Sequence, residues 1–348
     1  MKPLSLLFTV FFPLLLSCNN NIANAVIKLP RNATIPAVVV FGDSVVDTGM
    51  NNYIITIAKC NFPPYGQDFL GGKPTGRFSN GKVPADFLAE ELGIKSYLPP
   101  YLDPSLQDED FLPGLILRPS VFSLTDQLEM FKEYIAKLKK IAGDERTSYI
   151  IRESLVAVVI GNNDFLINYF MTPLRSLQYD VPSYTDLLMS YFSTFLQDLY
   201  QLGARRIAVF GLPPLGCLPL ERTLRGGLGR NCFEEYNENA RFFNNRLSDE
   251  VASHKSQFPD ATITFADIYP AFLDIIQTPQ KYGFKIADRG CCGTGTIELA
   301  ILCTFACSNV EDYVFWDGAH PTEKAYGIIV RRVLDEYINN FICGKSSC

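Results

Sequence analysis

Four short apolar runs recur along the chain, and longer segments with helical spacing of apolar residues separate them. An apolar run of four to six residues predicts a strand that is buried on both faces, as in parallel sheets. Strands that alternate with helices indicate an α/β fold, because each helix crosses over to the next parallel strand. We therefore expect a parallel sheet with helices on both faces. The predicted strands span residues 37–41, 155–160, 207–210 and 262–265.

The helical segments carry recognisable start and stop signals. Between residues 124 and 138, apolar side chains recur at helical spacing behind Ser123 or Thr125, and either residue is a suitable N-cap. A second helix is predicted from about residue 184 to residue 202, where Gly203 ends it. Two further helices are predicted, over about 233–255 and 322–341.

The first 25 residues are typical of a secretory signal. Lys2 precedes a mostly apolar stretch, residues 4–16, and Ala23-Asn24-Ala25 supplies a small-x-small cleavage pattern. The apolar stretch is too short to span a bilayer comfortably. We expect residues 1–25 to be removed and residues 26–348 to be secreted as a single domain, with Asn32 of Asn32-Ala33-Thr34 as a glycosylation acceptor.

Charge and apolar length exclude two kinds of partner. The net charge of −6 argues against nucleic acid and against an anionic membrane surface. After the signal, no segment has the apolar length of a membrane-spanning helix. A small-molecule or lipid substrate is therefore the expected partner, and no obligate protein partner is evident.

The cysteine content suits an oxidising compartment. Nine of the ten cysteines follow the signal, so at least one is left free or pairs between chains. Cys291, Cys292, Cys303 and Cys307 form a cluster that could be interpreted as a zinc site. The cluster has no CxxC pair and no nearby histidine, so disulfides are the preferred interpretation and we expect no metal.

A candidate nucleophile directly follows the first predicted strand. In Phe41-Gly42-Asp43-Ser44, the glycine permits a tight turn that would expose Ser44 at the end of the strand. Backbone N–H groups at the start of a following helix could then bind a developing oxyanion. Taken alone, Gly-Asp-Ser is also ordinary turn chemistry.

A candidate base lies near the other end of the chain. In Asp317-Gly318-Ala319-His320, the carboxylate can reach Nδ1 of the same imidazole, which leaves Nε2 free for Ser44. The competing interpretation is that Asp317 caps the helix after Pro321 and that His320 only packs beside Trp316.

The second histidine, His254, lies between Ser253 and Lys255 on the polar helix. We expect it to be a solvated surface residue.

A third motif, Gly161-Asn162-Asn163-Asp164, follows the second predicted strand. The carboxyl ends of parallel strands share one edge of a sheet, so this motif is expected beside Ser44. A side-chain amide there could donate to an oxyanion. An Asn/Asp-rich turn that merely tolerates left-handed geometry is the alternative.

Several motifs in this order resemble the plant GDSL esterase/lipases of the SGNH hydrolase superfamily, and most closely the extracellular-lipase subgroup. The resemblance covers nearly the whole chain after the signal. The matching segments are residues 41–49, 74–81, 161–164, 211–217, 291–295 and 317–322.

The resemblance implies a three-layer α/β/α sandwich with a mainly parallel, flavodoxin-like sheet, the SGNH hydrolase fold. It also implies hydrolysis of carboxylic esters through an acyl-enzyme, without a metal or cofactor. Carried onto this chain, Ser44 is the nucleophile and an oxyanion donor through its N–H. Asn163 is a second oxyanion donor, His320 is the base and Asp317 is its partner.

One departure from the family pattern concerns the oxyanion donors. The family has a glycine-rich block between the first and third motifs, whose glycine N–H is a further donor. Here Gly114 matches the residue before that block, and the chain continues directly through residues 115–120 into the helix. Pro119 has no N–H to donate. The alternative function is therefore a catalytically impaired secreted protein that binds or has a structural role.

Apolar side chains should line part of an acyl-binding cleft. Phe62, Tyr65 and Phe78 lie in long Gly/Pro-rich loops of the kind that shape clefts. Packing in the core explains each of them equally well.

Overall fold

The computed structural model describes residues 27–29, 33–114 and 123–343. Three sequence-based expectations lie outside these residues: the signal at 1–25, the acceptor Asn32, and the shortened segment at 115–120.

Four parallel strands form the central sheet in the order β1-β2-β3-β4. All four strands were predicted, and their observed ends lie within one residue of the predicted ones. β1 and β2 consist of apolar residues and are buried along their whole length, whereas β3 begins with Arg206 and β4 contains Thr262 and Thr264. The strands are β1 (Val38–Phe41), β2 (Leu155–Val159), β3 (Arg206–Phe210) and β4 (Thr262–Ala266).

Helices connect the strands and cover the sheet. The α-helices are α1 (Pro84–Glu91), α2 (Asp108–Phe111), α3 (Leu124–Glu153), α4 (Pro173–Ser176), α5 (Val181–Gln201), α6 (Pro219–Arg225), α7 (Glu234–Gln257), α8 (Tyr269–Gln277) and α9 (Glu323–Cys343). Ser123 caps α3. The second predicted helix, α5, begins three residues earlier than expected because the Asp180 side chain accepts from the N–H of Ser183.

The two faces of the sheet contact different helices. Phe41 packs against Phe131 of α3, with ring centroids 5.5 Å apart. The parallel register places Phe41 on the same face as Val209, so the next residue, Phe210, points to the opposite face. There Phe210 packs against Phe341 of α9. These contacts confirm the predicted three-layer α/β/α arrangement with a parallel sheet.

A second, two-stranded parallel sheet was not predicted from the sequence. It pairs β5 (Ile286–Gly290) with β6 (Tyr313–Phe315). The strands are short, and β5 contains Asp288 and Arg289, so neither strand forms a long apolar run. This small sheet leads directly into Asp317 and His320.

The outer edge of the main sheet lies at β1. A flavodoxin-like sheet has another strand beside its first one. Among the described residues, Pro113 occupies that side, where its carbonyl oxygen accepts from the N–H of Val38 over 3.2 Å. Gly114 follows with φ +92°, and a Cβ atom there would lie 2.1 Å from the carbonyl oxygen of Val38. Only glycine fits this close approach.

Candidate active site

A largely apolar cavity opens at the carboxyl edge of the sheet. It has a volume of about 290 Å³ and takes lining residues from the segments after β1, β2 and β3. Its polar lining groups include Ser44, Asn162, Asn163, His320 and Tyr326. Apolar side chains from α1, α8 and α9 form much of the remaining wall, among them Leu88, Phe272, Ile329 and Val333.

Ser44 is held at the cavity by a tight turn after β1. It begins a short 3₁₀ helix, Ser44–Val46, and the Asp43 side chain caps that helix by accepting from the N–H of Val45. A Cβ atom on Gly42 would lie 2.8 Å from the carbonyl oxygen of Val159 on β2, so the turn requires glycine. The N–H of Ser44 has no hydrogen-bond partner among the described residues. It is free to bind an anion.

The structure brings Ser44 and His320 together although 276 residues separate them. Ser44 Oγ lies 2.8 Å from His320 Nε2, and both side chains are buried. His320 Nδ1 lies 2.9 Å from each carboxylate oxygen of Asp317. With Nδ1–H donating to the carboxylate, Nε2 is left to accept the Ser44 proton.

Asp317 caps its own turn and not the helix after Pro321, where the competing interpretation placed it; at the start of α9 the N–H of Ala325 donates to Thr322 Oγ1. Asp317 Oδ1 accepts from the backbone N–H groups of Ala319 and His320. The same carboxylate therefore fixes both the backbone and the imidazole. The imidazole ring is flanked by Phe78, at a centroid distance of 5.0 Å, and not by Trp316 as that interpretation proposed.

Two asparagines follow β2 and have different environments. Asn162 Nδ2 donates to Asp43 Oδ2 over 2.8 Å, which connects the second strand end to the serine turn. Asn163 precedes a π-helical segment, Asp164–Met171, and lines the cavity with Ser44. Its side chain makes no hydrogen bond to another described residue. The amide of Asn163 is thus available to a ligand in the cavity.

Tyr65 is a site contact that sequence reasoning missed. Its hydroxyl donates to Asp317 Oδ2 over 2.7 Å. The sequence placed Tyr65 among the candidates for the cleft wall, whereas the structure places it behind the carboxylate and away from the cavity lining. Of the three loop aromatics, Phe78 lines the cavity, and Phe62 packs on Tyr65.

The expectation of a solvated His254 was wrong. The side chain is 1% exposed. Its Nε2 lies 2.9 Å from Ser193 Oγ and 3.2 Å from Glu250 Oε1, and its ring stacks on Phe258. His254 therefore forms a second serine–histidine contact, but its Nδ1 has no hydrogen-bond partner in the part of the chain that the structure describes.

The cysteine cluster forms disulfides, which was the interpretation that the sequence favoured over a zinc site. Cys291 pairs with Cys307, and Cys292 pairs with Cys303. A third disulfide joins Cys217 and Cys232. Cys60 is a buried free thiol. No helix within the described ranges is long and apolar enough to cross a membrane.

Comparisons with known proteins identify related chains. A family model described as GDSL-like lipase/acylhydrolase matches residues 38–333. The GDSL esterase/lipase EXL2 of Arabidopsis thaliana is 46% identical and covers 94% of both chains. EXL3 of the same plant is 46% identical and covers 91% of both. The EXL2 alignment spans 360 positions, more than the 348 residues of this chain, so EXL2 contains residues that this chain lacks.

Among solved structures, the chain is similar to a catalytic mutant of the acetylxylan esterase Axe2 from Geobacillus stearothermophilus. It is 14% identical, with a TM-score of 0.42, and the match covers 87% of this chain and 94% of that chain.

A buried carboxyl group lies beside the turn that carries His320. The N–H of Leu220 on α6 donates to the carbonyl oxygen of Gly318 over 2.8 Å, so the adjacent Glu221 is held close to this turn. Glu221 Oε1 has no hydrogen-bond partner among the described residues. Burial raises the pKa of Glu221 to about 7, and Arg225 counteracts this only in part.

This raised pKa predicts a dependence of stability on pH. The folded protein keeps the Glu221 proton up to about pH 7, whereas the unfolded chain releases it near the ordinary pKa of 4.5. The free energy of unfolding should therefore fall as pH rises between these values. Glu221→Gln should remove this pH dependence. Between pH 4.5 and pH 7, the free energy of unfolding of the variant should therefore rise relative to that of the wild type by on the order of 2 kcal/mol. Urea unfolding of both proteins at several pH values measures the difference, and parallel curves would contradict it.

Proposed function

The chain belongs to the GDSL-like lipase/acylhydrolase family, and from this membership we propose that it is a secreted serine esterase or lipase. Its substrates are carboxylic esters of small molecules or lipids, and one hydrolase domain spans residues 26–348. The contact that carries the proposal is the 2.8 Å approach of Ser44 Oγ to His320 Nε2 inside an apolar cavity.

The geometry supports acyl transfer in two stages. Ser44 Oγ attacks the ester carbonyl carbon while its proton passes to His320 Nε2, and Asp317 stabilises the resulting imidazolium. His320 then gives the proton to the departing alcohol, which leaves an acyl group on Ser44. In the second stage His320 deprotonates a water molecule, and the attack of this water releases the acid and restores Ser44.

Two donors are available for the oxyanion of each tetrahedral intermediate. The N–H of Ser44 and the side-chain amide of Asn163 both lack partners among the described residues, and both residues line the cavity. The apolar wall suits the acyl chain of the substrate.

The missing glycine-rich block supports a second candidate function. A lost oxyanion donor typically lowers a rate by about 100- to 1,000-fold. A chain that retains the cavity but lacks this donor could serve as a secreted binding or structural protein. The assembled Ser44–His320–Asp317 contacts favour the enzyme, because a binding protein has no need for them.

Ser44→Ala tests the enzyme against the binding protein. We expect the wild type to hydrolyse p-nitrophenyl butyrate and to react with a fluorophosphonate probe, and Ser44→Ala to lose both properties because the nucleophile is gone. Ser193→Ala is a matched control, since Ser193 also contacts a histidine but lies outside the cavity lining. A folded wild type that does not react with the probe would support the binding protein.

Asn163→Ala tests the side-chain oxyanion donor. The variant should lower kcat by about 100- to 1,000-fold, because the amide acts on charge that develops in the transition state. Asn163→Asp keeps the shape but offers an acceptor, so the loss should be at least as large. Thermal unfolding confirms that both variants fold. A kcat within threefold of the wild type would remove Asn163 from this role.

Secretion is tested by expressing the full chain in insect cells. We expect protein in the medium that begins at Val26 and loses mass on treatment with an N-glycosidase, because Asn32 is the acceptor. Mass spectrometry of the N-terminal peptide measures both features, and Asn32→Gln is the control. Recovery of the protein only inside the cells, with Met1 retained, would contradict secretion.

A further inference from the structure

The Asp317 carboxylate receives a hydrogen bond that is not needed to hold its own turn. Its Oδ1 accepts from two backbone N–H groups of the turn, whereas Oδ2 accepts from the hydroxyl of Tyr65 over 2.7 Å. Tyr65 lies 252 residues earlier in the chain and is fully buried. The donor therefore reaches the carboxylate from a different part of the fold.

The ring of Tyr65 is fixed before any substrate arrives. It makes edge-on contacts with Phe62 and Trp316, at centroid distances of 5.5 and 5.8 Å. Burial, and next the negative charge of Asp317, raise the pKa of Tyr65 well above its usual value. Tyr65 thus remains a neutral donor across the pH range in which an imidazole titrates.

A hydrogen bond to a carboxylate withdraws negative charge from it. A carboxylate with fewer donors stabilises a neighbouring imidazolium more strongly, so the Asp–His pair binds its proton more tightly. A protonated His320 cannot accept the proton of Ser44. The number of donors on Asp317 therefore affects the lowest pH at which the base can work.

We propose that Tyr65 is a positioning residue that sets the basicity of the Asp317–His320 pair and so extends the working range of the base to lower pH. This role rests on the proposed esterase function. Tyr65 acts through Asp317 and does not touch the substrate or the reacting atoms. Its proton stays on the phenol throughout the reaction.

Other titratable groups also face this pair. Cys60 contacts the Tyr65 hydroxyl, and burial raises the pKa of its thiol well above the usual value. Burial likewise raises the pKa of Tyr326 on α9. The nearby carboxylates are Asp43, which accepts from Asn162 and its own turn, and Asp47, which accepts from two backbone N–H groups. When only the Tyr65 hydroxyl is removed, Cys60 loses its contact with that hydroxyl, but burial still raises the pKa of the thiol and keeps it neutral.

Tyr65→Phe removes the hydroxyl and keeps the ring. We expect the titration midpoint of His320 to rise by about one pH unit, and the acid limb of kcat/KM to move by the same amount. The chain has two histidines, so NMR of the protein labelled with ¹⁵N-histidine follows both, and His254→Gln assigns them. Tyr134→Phe is the matched control, because it removes another buried hydroxyl, one that donates to the Phe111 carbonyl oxygen in the core.

A second variant keeps the fold and should shift the His320 titration midpoint in the opposite direction. 3-Fluorotyrosine placed at position 65 is a stronger donor than tyrosine and should lower the His320 midpoint. A merely structural Tyr65 would reduce stability in Tyr65→Phe and leave the midpoint unchanged in both variants, and that result would overturn the proposal. The titration needs no turnover. An inactive wild type would therefore count against the esterase function alone, and an unmoved midpoint in an active enzyme would count against Tyr65 alone.

Discussion

The contact between Ser44 Oγ and His320 Nε2 joins the two ends of the chain, and the described architecture serves to make it. The parallel register of β1 and β2 fixes where the serine turn begins. The histidine is placed by β6, after which the N–H of Trp316 donates to the carbonyl oxygen of His320 over 2.7 Å and closes the turn. A register shift of one residue in β1 or in β6 would turn the side chains of that strand to the opposite face of its sheet and displace the turn that follows. The hydroxyl and the imidazole would then no longer meet.

The sequence predicts the elements that local pattern determines. β1 and β2 are buried along their whole length, so each is an uninterrupted apolar run that can be recognised without tertiary information. The Asp317–His320 contact was predictable because it lies within one turn. The Tyr65–Asp317 contact was not, because nothing local connects residues 252 positions apart. The error at His254 has a different cause: its polar neighbours suggest a surface, whereas helical spacing continues the buried stripe of Leu247 and Val251 to this histidine.

The cavity combines two environments, an apolar wall and a small group of polar side chains. Apolar walls from α1, α8 and α9 suit the acyl chain of the substrate proposed above. The polar groups are concentrated where the strands end, and the N–H of Ser44 and the side-chain amide of Asn163 have no partner among the described residues. Preorganised donors of this kind stabilise charge without rearranging during the reaction. Pro113 and Gly114, the last described residues before the shortened segment, lie at the edge of the same sheet, beside β1, the strand that leads to Ser44.

Two of the disulfides lie beside the backbone that leads to Asp317. The N–H groups of Cys291 and Cys292 donate to the carbonyl oxygens of Phe315 and Trp316, immediately before Asp317. These cysteines are bonded to Cys307 and Cys303, across loops of 16 and 11 residues. The cysteines that are oxidised therefore lie on the segment that hydrogen-bonds to the backbone directly before Asp317. A newly made polypeptide in a reducing compartment lacks these cross-links, so the backbone beside Asp317 gains its full covalent support only when these thiols are oxidised.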